Sequence, residues 1–75
     1  MEKQEARNLM KSFRVRQGLS QEKAAELLGI ARNTLVYYEK HPYSMPIGMF
    51  VAMSDLYGED FTNSYMAQKL YKMEN

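Results

Sequence analysis

Residues 19–39, LSQEKAAELLGIARNTLVYYE, constrain this chain more than any other stretch. They read as two short helices around one tight glycine turn. Ser20 opens the first, because its hydroxyl can accept from a backbone N–H a few residues on. Lys23 stands where a reciprocal capping box would want Glu, so that half of the motif is missing. Gly29 stops the helix Gln21–Leu28, since a left-handed backbone costs glycine nothing. Ile30 or Ala31 then leads into a helix from Arg32 to about Lys40. Helices crossing this closely need a small residue between them, and Ala25 supplies it. Ile30 can anchor the turn, while Leu35 and Tyr38 fall on the inward side of the second helix.

The rest of the chain extends the same all-α pattern. Over residues 2–17, Ala6, Leu9, Met10 and Phe13 recur at helical spacing, and Gly18 ends that helix. Residues 41–46, HPYSMP, form a loop punctuated by two prolines. A fourth helix follows to Leu56 or Tyr57, stopped by Gly58. If Ile47, Phe50, Met53 and Tyr57 face inward, then Met49, Ala52 and Leu56 point out, where a free monomer should be polar. Asp60 or Thr62 can cap a fifth helix, so residues 62–75 form a C-terminal helix. Met66, Leu70 and Met73 share one stripe on it, broadened by Tyr65 and Tyr71, which serves as core or as a dimer arm. No stretch alternates long enough to be a strand. The reading is one domain over residues 1–75.

Seventy-five residues bury only about 60% of the surface of the unfolded chain, so self-association is an economical source of stability. The net charge is +1, but Lys3, Arg7, Lys11, Arg14 and Arg16 make the first segment basic, while Asp55, Glu59 and Asp60 cluster later. Such a basic side suits a few phosphate contacts. The charged N-terminal stretch lacks the apolar core of a signal peptide and no run is long enough to span a bilayer, which predicts a cytoplasmic protein with no membrane partner.

The pattern argues against an enzyme. Cysteine is absent, and His41 is the only histidine, so no metal-ligand set forms. Glu59 and Asp60 are better explained as a helix cap and dipole partner than as a catalytic pair. Ser12, Ser20, Ser44, Ser54 and Ser64 have no acid–base set beside them, and no glycine-rich phosphate loop occurs. No cofactor is called for.

The outward face of the third helix is more informative. It carries Arg32, Asn33, Val36 and Tyr37. Arginine can grip guanine O6 and N7 with two donors, and asparagine can pair with adenine N6 and N7. Val36 can meet a thymine methyl, and Tyr37 a phosphate or base edge. Gln21 starts the preceding helix, where side chain and backbone N–H can meet a phosphate. Lys40, His41 and Tyr43 follow and can reach the sugar-phosphate backbone. The bland alternatives are solvated helix-start residues for Arg32 and Asn33, and plain loop residues for Lys40, His41 and Tyr43.

From about Met10 to Phe61 the chain resembles the lambda repressor-like helix-turn-helix domains of the Cro/repressor (XRE) family. The matching residues are Gly18-Leu19-Ser20-Gln21, Ala25, Leu28-Gly29-Ile30, Arg32, Thr34-Leu35, Glu39 and Leu56-Tyr57-Gly58. The resemblance implies a compact five-helix DNA-binding domain with its helix-turn-helix at helices 2 and 3, recognition in the major groove, and often a homodimer on a pseudo-palindromic operator. It also implies a partly buried, bidentate ion pair between Arg14 and Glu39. The chain departs from the family at Ala24, where Leu is usual and Phe13, Tyr38 or a methionine must fill the volume. It departs again in the apolar run Val36-Tyr37-Tyr38.

The leading expectation is a small transcriptional regulator, Cro-like or repressor-like, that occupies double-stranded operator DNA; a chain this short carries no separate sensor domain. The rival is an antirepressor, a protein-interaction module that binds a partner repressor through the same helical surface. It draws on the weak net charge, Val36-Tyr37-Tyr38 and the exposed methionines. Met49, Ala52, Leu56, Met66, Leu70 and Met73 are the candidate interface, either for a second copy through the fourth and fifth helices or for a partner protein. An antitoxin ranks below both.

Overall fold

The computed structural model describes the backbone of residues 2–74 and the side chains of residues 9–70. Among the described residues five α-helices follow one another: α1 (Glu2–Arg16), α2 (Gln21–Leu28), α3 (Arg32–Lys40), α4 (Ile47–Tyr57) and α5 (Glu59–Glu74), with a 3₁₀ turn at Pro42–Ser44. No strand occurs among the described residues. The side chains of Lys3, Ala6, Arg7, Tyr71 and Met73 lie outside the described residues.

Local chemistry sets the α2–α3 joint. Ser20 Oγ accepts from Lys23 N at 3.0 Å and caps α2. At the other end Gly29 takes φ +72°, Gly29 N donates to Glu26 O at 3.1 Å and Ile30 N to Ala25 O at 3.0 Å. These paired bonds satisfy carbonyls that the helix end would orphan, and only a left-handed residue allows them. The N-cap of α3 is Ala31, which has no side-chain oxygen to cap the helix.

The core joins all five helices. Among the described residues Met10, Leu35, Met53 and Phe61 are its largest fully buried side chains, and Ala24, Ala25, Phe13, Met45, Tyr57 and Tyr65 also belong to it. Phe61 is the hub of its rings, with centroids 5.7 Å from Phe13, 5.3 Å from Tyr57 and 5.8 Å from Tyr65. The first two meet edge to face, the geometry the ring quadrupole favours. Ala24 is fully buried, and the larger core side chains Met10, Phe13 and Met53 belong to the same cluster.

Two sequence expectations are corrected here. Met49, Ala52 and Leu56 do not point out: all are half-buried, with Met49 and Leu56 packed on the core, whereas Ile47, expected inside, is 79% exposed. The inner arc of α4 is centred on Met53. At about 100° per residue, Met49, Phe50, Leu56 and Tyr57 fall within about 60° of that centre, but Ile47 lies about 120° and Val51 about 160° away. The exposed apolar pair of α4 is therefore Ile47 and Val51.

The second correction concerns α5. It starts at Glu59 rather than after a cap at Asp60 or Thr62, so Gly58 is the whole connection. Gly58 adopts φ +102°, ψ 179°, a region essentially closed to side-chain-bearing residues, and so reverses the chain in one step. Glu59 and Asp60 fill the first turn, where negative charge suits the helix dipole. Thr62 Oγ1 instead donates back to Gly58 O at 3.3 Å. Phe61 and Tyr65 form the buried side of α5, leaving Met66 and Leu70 exposed.

Candidate functional site

A short chain of polar contacts runs from the interior to the surface beside α3. Arg14 Nε donates to Glu39 Oε2 at 2.7 Å, and both side chains are 9% exposed. The expected bidentate pairing does not form, because each partner has a second commitment. Arg14 Nη1 donates to Leu19 O at 2.9 Å, in the turn between α1 and α2. Glu39 Oε1 accepts from Gln21 Nε2 at 3.1 Å. Gln21 is then held at its other end, where Oε1 accepts from Arg32 Nη2 at 3.1 Å. A buried charge is tolerable only with its bonds made, and here both carboxylate oxygens are occupied.

Tyr57 borders this pair from α4. Its hydroxyl is buried without a hydrogen-bond partner among the described residues. Burial, reinforced by the Glu39 carboxylate and partly opposed by Arg14, pushes its pKa from 10.0 up to about 12.

On the outward side, Arg32, Asn33, Tyr37, Lys40 and His41 are exposed, while Gln21 and Val36 are half-buried. The ring of Tyr37 lies 4.7 Å from that of His41, so the first loop residue joins the α3 face. With Val36 half-buried, Tyr37 is the main exposed apolar surface of α3, less than the run Val36-Tyr37-Tyr38 implied. Tyr43 does not join this face. It is half-buried against α5, its ring 5.1 Å from Tyr65 and its hydroxyl 3.5 Å from Gln68 Oε1. Burial raises its pKa as well.

Lys11 was not among the site residues expected from sequence. With Arg14, Ser20, Gln21, Glu22 and Arg32 it lines a shallow polar depression at the start of α2. Its signal was positional: it lies one helical turn before Arg14 on α1. Of the expected partner-surface residues, Met66 and Leu70 are exposed, at 45% and 55%, and Met73 lies outside the described residues. Sequence reasoning also missed the exposed Ile47 and Val51, because it placed the centre of the α4 face elsewhere.

The arrangement places the exposed donors Arg32 and Asn33 at a helix start beside a partly cationic depression. Among the described residues no three His, Cys, Asp or Glu side chains gather to hold a metal ion, and no helix is long and apolar enough to cross a membrane. Compared with protein-family models, residues 10–62 match the one described as helix-turn-helix, which is more than half of the chain. No curated protein and no solved structure matches it.

Proposed function

The chain belongs to the Cro/C1-type helix-turn-helix (XRE) family of DNA-binding transcription regulators, and from that premise we propose that it acts as a Cro-like or repressor-like operator-binding protein. α3 enters the major groove with its first turn toward the bases. Arg32 reads guanine through two donors, and Asn33 reads adenine through its amide. Tyr37, Lys40 and His41 line the path along the sugar-phosphate backbone, and Val36 meets a thymine methyl at the groove wall. Gln21 and its neighbouring backbone N–H groups receive a phosphate at the start of α2, with Lys11 adding charge beside it. Tyr43 has no part in this assignment, because its hydroxyl faces Gln68.

The observation that carries the reading is the exposed start of α3, where Arg32 is exposed and donates to Gln21 Oε1 at 3.1 Å. A bound chain would block polymerase by occupancy. Two copies would occupy a two-fold site through the apolar residues that α4 and α5 leave exposed, with Met66 and Leu70 on α5.

The test is an electrophoretic shift with duplexes drawn from the DNA flanking the gene of this chain. Retardation of one duplex at a concentration that leaves a scrambled duplex free is the expected result. A folded chain that shifts none of them at low salt would falsify the proposal.

A further inference from the structure

The contact between Gln21 and Glu39 gives the buried ion pair a second task. An exposed arginine has many rotamers, and holding it for a base costs side-chain entropy that binding must otherwise supply. Arg32 is held by Gln21 Oε1. An amide can turn over, however, and present its nitrogen, which would repel rather than receive a guanidinium. What fixes the amide is Glu39 Oε1, a pure acceptor that admits only the Nε2 end of Gln21. Glu39 is in turn fixed by Arg14 on α1, at 2.7 Å, and is itself buried. Each link depends on the one beneath it, and the sequence runs from the core outward.

We infer that Glu39 is a positioning residue for base discrimination, acting through Gln21 on Arg32. This deepens the DNA reading above and rests on it. Glu39 touches no base; it sets which end of Gln21 faces Arg32, and so where the guanidinium stands before DNA arrives. Gln21 then has two separable contributions. Its backbone and depression serve affinity for any sequence, while its side chain serves the choice of sequence.

The experiment uses the full chain and a pool of duplexes with randomised centres. The duplex that the wild-type chain enriches is compared with its single-base variants, and ratios of Kd cancel any uniform phosphate contribution. Arg32→Ala locates the base pair that Arg32 reads, as the position where the ratio collapses. At that pair Glu39→Gln and Gln21→Met are each expected to lower discrimination about five- to tenfold. Neither should lower it further in the Arg32→Ala background, because the effect passes through Arg32. A Glu39→Gln chain with a lowered Tm but wild-type ratios would mark a purely structural role and overturn the inference. Should Glu39→Gln fail to fold, Gln21→Met decides: uniform weakening on every duplex, with ratios intact, also overturns it. If Arg32→Ala leaves every ratio unchanged although the wild-type chain enriches a duplex, the inference alone is overturned. If no duplex is enriched, the DNA reading itself fails and the inference falls with it.

Discussion

Tyr57 carries a hydroxyl that the fold does not use. It is buried with no partner among the described residues, and Ser54 Oγ, one turn before it, is in the same position. An unpaired buried hydroxyl costs free energy that an apolar replacement of the same shape recovers. Tyr57→Phe is therefore expected to raise stability by roughly 1 kcal/mol in urea unfolding near neutral pH. The two chains should diverge in alkali. The folded pKa of about 12 exceeds the ordinary 10.0, so the native state keeps its proton where the unfolded state loses it. That contribution is whole below pH 10, declines above it, and is gone beyond about pH 12, a loss of roughly 2–3 kcal/mol. The difference between wild type and Tyr57→Phe, measured at pH 9 and again at pH 11, should widen in favour of Phe. A constant difference would show that Tyr57 does not ionise with unfolding. Little of this was legible in the sequence. Arg14 and Glu39 were paired through a family resemblance, but a link from Gln21 to the same carboxylate spans eighteen positions and depends on rotamers.

The helices were legible because their ends carry local chemistry. Ser20, Gly18, Gly29 and Gly58 mark termini that need no tertiary context, and the bounds of α2 and α3 follow from them. Helix faces were less legible where the helix is apolar nearly all round. α4, IGMFVAMSDLY, has one charged residue, Asp55, so periodicity left its inner arc undetermined. Packing settled it: Phe50 stacks toward Tyr65 at 4.7 Å, and Ile47 falls past the edge of the core. On α5 periodicity left the stripe open between core and surface, and packing decided: aromatic Phe61 and Tyr65 took the inner side and left Met66 and Leu70 exposed. Two element-scale outcomes follow. Gly29→Ala should cost about 1–2 kcal/mol, because the residue must hold φ +72° although the added Cβ meets nothing within 4 Å. Phe61→Ala should cost about 3–5 kcal/mol, since it empties the hub that joins α1, α4 and α5. Chemical denaturation measures both. If Phe61→Ala proved the milder change, the ring cluster would not be the centre of stability.

At the scale of the whole molecule, one copy of α3 is short. Its nine residues extend roughly 13 Å, enough for one stretch of one groove. Reading two successive major-groove faces, about 34 Å apart, calls for a second copy. The apolar residues that α4 and α5 leave at the surface supply two trial contacts. Light scattering of the free chain is expected to give twice the monomer mass. Val51→Glu on α4 and Leu70→Glu on α5 tell the contacts apart, since only the variant in the interface should return a monomer. A dimer that survives both would place the contact elsewhere.

The ion pair of Arg14 and Glu39 has a consequence for handling the protein. A contact sealed from solvent is barely screened by electrolyte, whereas attraction to a polyanion falls steeply as counterions are added. Brine should therefore strip nucleic acid from the chain well before it disturbs the helices. Circular dichroism should stay constant across a titration in which fluorescence anisotropy of a labelled duplex drops to its free value, so that the protein leaves a heparin column intact.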